Sequence, residues 1–63
     1  MGVVILRLPE VIKVTGLSRS GIYQLIASQQ FPKQIKLGAR ASGWIESEIL
    51  EWISKKIADR DAA

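Results

Sequence analysis

The stretch "TGLSRSGIYQLI", residues 15–26, decides the fold of this chain. A glycine, one apolar residue and Ser-Arg-Ser lead straight into an apolar pattern of helical period. Gly16 has the place of a helix C′ residue, where a left-handed backbone is wanted and glycine adopts it without strain. Ser18 is an N-cap candidate for the helix that follows, because its hydroxyl can accept an N–H of the first turn. Leu17 and Ile22 have the spacing of a hydrophobic staple across that cap. Ile22, Leu25 and Ile26 stand at i, i+3 and i+4 and mark a buried face. The helix before Gly16 runs from about Pro9 to Thr15. Pro9 suits its first turn, Glu10 suits the positive end of its dipole, and Leu8, Val11, Ile12 and Val14 supply its apolar face. Two short helices joined by so little chain cross at a steep angle, as in a helix-turn-helix.

With Ile22, Leu25 and Ile26 inward, Arg19, Ser20, Tyr23 and Gln24 face the other way. An arginine can bind guanine bidentately and a glutamine can bind adenine, while Ser18, Ser20 and Tyr23 can hold phosphates. The helix N-terminus itself favours phosphate. The plainer reading keeps Ser18 as a cap only, Arg19 solvated and Tyr23 half-buried. Gly21 costs about 0.5–1 kcal/mol relative to alanine in a helix. It reads either as a point of close backbone approach or as a residue tolerated near a helix end.

Charge argues for the DNA-facing reading of Arg19, Ser20, Tyr23 and Gln24. Between Val11 and Ile45 stand Lys13, Arg19, Lys33, Lys36 and Arg40, with no Asp or Glu among them. The acids collect at Glu10 and from Glu46 onward. This asymmetry points to a polyanion facing the middle of the chain. The alternative is a basic surface that is merely solvated.

Downstream, "FPKQIKLGARASGWI", residues 31–45, alternates Ile35 and Leu37 with Gln34 and Lys36, the period of a half-buried strand. Gly38–Ala41 reads as a turn and Ser42–Ile45 as the return strand of a hairpin. A two-stranded hairpin is not stable alone, so Phe31, Ile35, Leu37 and Trp44 are expected to pack on the helices. Lys33, Lys36, Arg40 and Ser42 are then exposed, like a wing that grips a phosphate backbone or probes a minor groove. The last segment is an amphipathic helix from about Glu46 to Arg60, with Ile49, Trp52, Ile53 and Ile57 as its stripe. Its acids lead and its bases follow, as the helix dipole prefers. Leu50 sits off the stripe, either widening the buried face or marking a self-association surface.

Sixty-three residues make a single domain, 1–63, with residues 1–5 and 61–63 expected to be loosely ordered. There is no cysteine and no histidine, which removes disulfides, zinc–thiolate sites and the commonest general base. The remaining carboxylates form no evident catalytic pair, so an enzyme is not expected. Neither is a metal, cofactor or small-molecule ligand. Val3–Leu6 is too short for a signal-peptide core, and no stretch approaches the roughly 20 apolar residues of a membrane span. A cytoplasmic domain is expected.

The segments "RLPEVIKVTGLSRSGIYQLI" and "FPKQIKLGARASGWIESEI", with the following "EWI", resemble the AlpA family of short phage and prophage regulators. That family is similar to excisionases and to the DNA-binding part of MerR-type regulators. The resemblance spans about Ile5 to Ile57. It implies a mainly α fold with a small β-hairpin, a winged helix-turn-helix. It implies a recognition helix, about 18–28, carrying Ser18, Arg19, Ser20, Tyr23 and Gln24 into the major groove of double-stranded DNA. It implies a wing, about 33–45, bearing Lys36, Gly38, Arg40 and Ser42, and it makes Trp44 and Trp52 core residues. The chain departs from the family at Gly21, where Thr or Ser is usual, and at Gln24, often basic. Fewer side chains then reach DNA, so self-association on DNA or contact with an integrase or RNA polymerase is expected to add specificity. Two further readings stand: an excisionase-like protein that bends DNA for an integrase, and a protein-interaction module that keeps the fold without binding DNA.

Overall fold

The structure, a computed structural model, describes residues 2–62. Met1 and Ala63, counted above with the loosely ordered ends, lie outside the described residues. The elements in order are β1 (Ile5–Leu6), α1 (Leu8–Thr15), α2 (Arg19–Ala27), β2 (Ile35–Gly38), β3 (Ala41–Ile45) and α3 (Glu46–Ala62).

The first turn of α1 is held by Glu10, whose carboxylate accepts the Arg7 N–H at 2.7 Å. Arg7 has no acceptor on its side chain, so only this returning half of a capping box forms. The helix therefore opens at Leu8, one residue before Pro9. It ends as expected: Gly16 takes φ 74°, and its N–H donates to the Ile12 carbonyl at 2.8 Å. Thr15 tightens the corner, donating from its hydroxyl to the Val11 carbonyl at 2.7 Å and accepting the Leu17 N–H at 3.2 Å. Ser18 then accepts the Gly21 N–H at 3.0 Å and opens α2. Leu17 and Ile22 join one apolar core, as a staple requires.

At its far end α2 closes with Gln29 at φ 61°. The N–H groups of Gln29 and Gln30 donate to the carbonyls of Ile26 and Leu25 at 3.0 and 2.8 Å. That is the Schellman pattern, built with glutamine where glycine is usual.

Among the described residues the sheet has three strands, not two. Its order is β1-β3-β2, all antiparallel, with Ile5 opposite Ile45 and Leu6 opposite Trp44. The Glu46 N–H extends this pairing by donating to the Val4 carbonyl at 2.8 Å. Ile5, expected in a loosely ordered start, is thus a strand residue. At the other end α3 continues through Asp61 to Ala62, beyond the expected stop at Arg60.

The core comprises Leu6, Val11, Ile22, Phe31, Trp44 and Ile49, contributed by every helix and by β1 and β3. Both tryptophans serve it. Trp44 is fully buried, and its indole N–H donates to the Pro32 carbonyl at 3.0 Å. Trp52 packs edge-on against Phe31 at 4.9 Å and donates to the Gln30 carbonyl at 2.7 Å. These bonds fasten the α2–β2 connection to the sheet and to α3, and they satisfy the indole donors inside an apolar cluster.

Two expectations about burial fail. Ile35 and Leu37 do not pack on the helices; they are 38% and 47% exposed. The cause is register. Lys36 stands opposite Ser42, and Ile35 opposite Gly43. Successive side chains alternate between faces, so the inward Trp44 places Ser42 and Lys36 on the helix-facing side. Ile35 goes to the outer side. Leu37 is the additional residue of an irregularity between Lys36 and Gly38, where strands bend and pairing loosens. Val14 and Ile57, assigned above to buried faces, are also about half exposed; both line a shallow groove between α1 and α3, outside the buried cluster.

Gly43 has a steric reason to be glycine. A Cβ there would lie 2.5 Å from Ile5 Cγ2, 3.1 Å from the Leu6 carbonyl oxygen and 3.3 Å from Leu37 Cδ1. The outer face of the sheet thus has its own small apolar cover over a residue without a side chain. Helix, turn, helix, a projecting β2–β3 hairpin and a closing helix together make a winged helix-turn-helix.

Candidate nucleic-acid interface

The opening of α2 carries a polar, solvent-facing cluster. Ser18, Arg19, Ser20, Tyr23 and Gln24 are all exposed, whereas Ile22 between them is fully buried. Ser20, Tyr23 and Gln24 stand at i, i+3 and i+4, so they share one face, and Arg19 lies one turn before Tyr23. Burial of Ile22 fixes the rotation of the helix and so fixes which residues face water. The Ser18 and Ser20 hydroxyls are 3.5 Å apart. Ser18 is committed to its capping bond with Gly21, which leaves its hydroxyl proton free to donate outward.

Gly21 sits beneath this cluster at the third helical position. A Cβ there would be 3.1 Å from Ser18 Oγ. That is a tight contact with the end of a small side chain, which a slight shift of the hydroxyl relieves, and the glycine keeps the surface of the first turn low.

The second group lies on the hairpin. Lys36 and Ser42 are cross-strand partners on the same side of the sheet as the inward Trp44. Lys36 is exposed, but Ser42 is only half exposed, less than expected, because it adjoins Gly43 and Trp44 in the most buried strand. Arg40 occupies the two-residue tip between Gly38 and Ala41, and it is exposed. Lys33, also exposed, precedes β2 in the irregular connection. The only ion pair among the described residues joins Arg60 to Asp61 in α3. Arg19, Lys33, Lys36 and Arg40 therefore hold no carboxylate partner there, and their charges remain available to an outside anion.

The structure thus gathers the α2 residues into one cluster, pairs Lys36 with Ser42, and sets Arg40 and Lys33 apart at the hairpin's two ends. Sequence reasoning missed Gly43, which lets β1 and the hairpin close around one point. Its one signal was a glycine inside a strand pattern, often a mark of close approach. Among the described residues no group of His, Cys, Asp and Glu could hold a metal ion, and no helix is long and apolar enough to cross a membrane.

Comparison with known proteins gives a consistent result. The sequence model of the family described as Prophage CP4-57 regulatory protein (AlpA) matches residues 4–57. The chain is 47% identical to the uncharacterized protein ORF88 of Enterobacteria phage P4, over 87% of this chain and 62% of that protein. It therefore spans less than two thirds of that relative's length. It is 45% identical to the DNA-binding transcriptional activator AlpA of Escherichia coli K12, over 82% of this chain and 83% of that protein.

Proposed function

The chain belongs to the AlpA family of prophage regulatory proteins, and on that premise we propose that it binds double-stranded DNA and regulates transcription of a phage or integrated element. The observation that carries this reading is the exposed Arg19–Ser20–Tyr23–Gln24 surface at the start of α2, within a segment of the chain that holds bases and no acids. In the proposed complex α2 enters the major groove. Arg19 and Gln24 meet base edges, while Ser18, Ser20 and Tyr23 hold the flanking phosphates. The hairpin lies on the neighbouring backbone through Lys36, Ser42 and Arg40, with Lys33 at its base. A single module of this kind buries about 600–1,000 Å² on DNA, so selective binding calls for two copies or for a partner such as an integrase or RNA polymerase.

The test is binding to duplexes from the chain's own genomic neighbourhood across a salt series. Each phosphate contact adds about 0.9 to the slope of log affinity against log salt. Arg19→Ala is expected to weaken binding to the preferred site by about 1–3 kcal/mol and to flatten the preference among sites. Arg40→Ala is expected to weaken all duplexes alike. Wild-type binding no stronger or steeper than that of an unrelated basic protein overturns the reading and favours a protein partner. A strong bend in the bound duplex would move the role toward excision on the same surface.

A further inference from the structure

We propose that the outer flank of α3 is a self-association seam, on which a second copy of this chain docks antiparallel. The proposal identifies the surface for the pairing that DNA selectivity calls for, but it stands on α3 alone. It can fail while DNA binding holds, and the reverse.

The side of α3 that faces the core carries Ile49, Trp52 and Ile53. A second stripe runs along the same helix: Ser47, Leu50, Ser54, Ile57 and Asp61, spaced three, four, three and four residues apart. That is the spacing of a coiled-coil seam. All five are exposed, Leu50 at 49% and Ile57 at 46%. The two large apolar residues alternate with two serines. Large against small is the alternation that lets two helix surfaces interdigitate. Antiparallel docking sets Leu50 against the partner's Ser54 and Ile57 against the partner's Ser47. Val14, at the end of α1, shares a shallow groove with Ile53 and Ile57 and lengthens the apolar strip.

Charge selects the occupant and its direction. Glu46, Glu48 and Glu51 fall in the first half of α3, while Lys55, Lys56 and Arg60 fall in the second, with Asp59 and Asp61 beside them. Parallel pairing would set like against like. Antiparallel pairing puts Glu46 on one flank beside the partner's Arg60, and the two-fold symmetry repeats the contact. Among the described residues Arg60 pairs with its exposed neighbour Asp61, at 2.8 Å, and such an exposed pair can be exchanged at little cost. The opposed helix dipoles add in the same direction.

The test is sedimentation equilibrium of the whole chain without DNA, from micromolar to millimolar, with a thermal melt on every variant. The wild type is expected to form dimers. Leu50→Glu and Ser54→Arg are each expected to raise the dissociation constant at least tenfold while the melt stays in place, because both side chains are exposed. Glu46→Arg and Arg60→Glu are each expected to weaken the dimer several-fold, and the double reversal to return it to within about twofold of wild type. A wild type monomeric throughout overturns the proposal. So does Leu50→Glu or Ser54→Arg with unchanged association, or a double reversal no better than the single changes.

Discussion

The central strand β3 has two neighbours that could hardly differ more. β1 is two residues long, yet Leu6 within it is 9% exposed and belongs to the core. β2 is four residues long and exposed throughout. Strand length therefore says little about structural weight here. What decides it is where along β3 each neighbour pairs. β1 meets Trp44 and Ile45, the end that three helices enclose. β2 meets Ala41 to Gly43, the end that projects beyond them. One neighbour closes the core and the other stays open to solvent.

The comparison can be broken most directly at the strand that both neighbours share. Trp44→Ala should cost about 3–5 kcal/mol, close to the whole stability of about 3–9 kcal/mol expected for a chain this size. A thermal melt should show a largely unfolded protein. Next come the two leucines. Leu6→Ala should cost about 2–5 kcal/mol, and Leu37→Ala no more than about 0.5 kcal/mol, by urea titration. Equal losses would mean that the hairpin is part of the core after all. Gly43→Ala should cost about 1–3 kcal/mol, because its Cβ presses on Ile5 and on the Leu6 carbonyl. Hydrogen exchange at the Glu46 amide, which β1 protects through Val4, should quicken in that variant. The smallest stability effect belongs to Lys36→Ala and Arg40→Ala, whose melts should match wild type within about 0.5 kcal/mol. Each should lower the salt slope of DNA binding by about 0.9, an effect that Leu6→Ala should not share once corrected for the folded fraction.

The same contrast explains what the sequence disclosed. The helix-turn-helix was legible because its signals are local: Gly16 ends one helix, Ser18 caps the next, and Ile22 sets the rotation, all within seven residues. The exposure of Arg19, Ser20, Tyr23 and Gln24 follows from that rotation alone. The helix α3 was legible for the same reason. The hairpin was found and Trp44 rightly placed inward, but Ile35 and Leu37 of β2 were put on the wrong side. Alternation of Ile35 with Lys36 reveals a strand without saying which side is inward, and the burial of Trp44 settles that only once the register is known. β1 was invisible as a strand. Two residues carry no period, and their partners lie at the far end of the hairpin.

That last pairing also has a temporal consequence. Ile5 and Leu6 leave the ribosome ahead of their partners Trp44 and Ile45, which are made only after both helices of the helix-turn-helix. Contacts between distant parts of a chain carry the larger loop-closure cost and tend to form late. The nascent helices can therefore assemble around Val11 and Ile22 while the strand that will seal them waits. Until β3 arrives, the growing chain carries Ile5 and Leu6 as bare apolar residues, the kind of segment on which chaperones and misfolding compete.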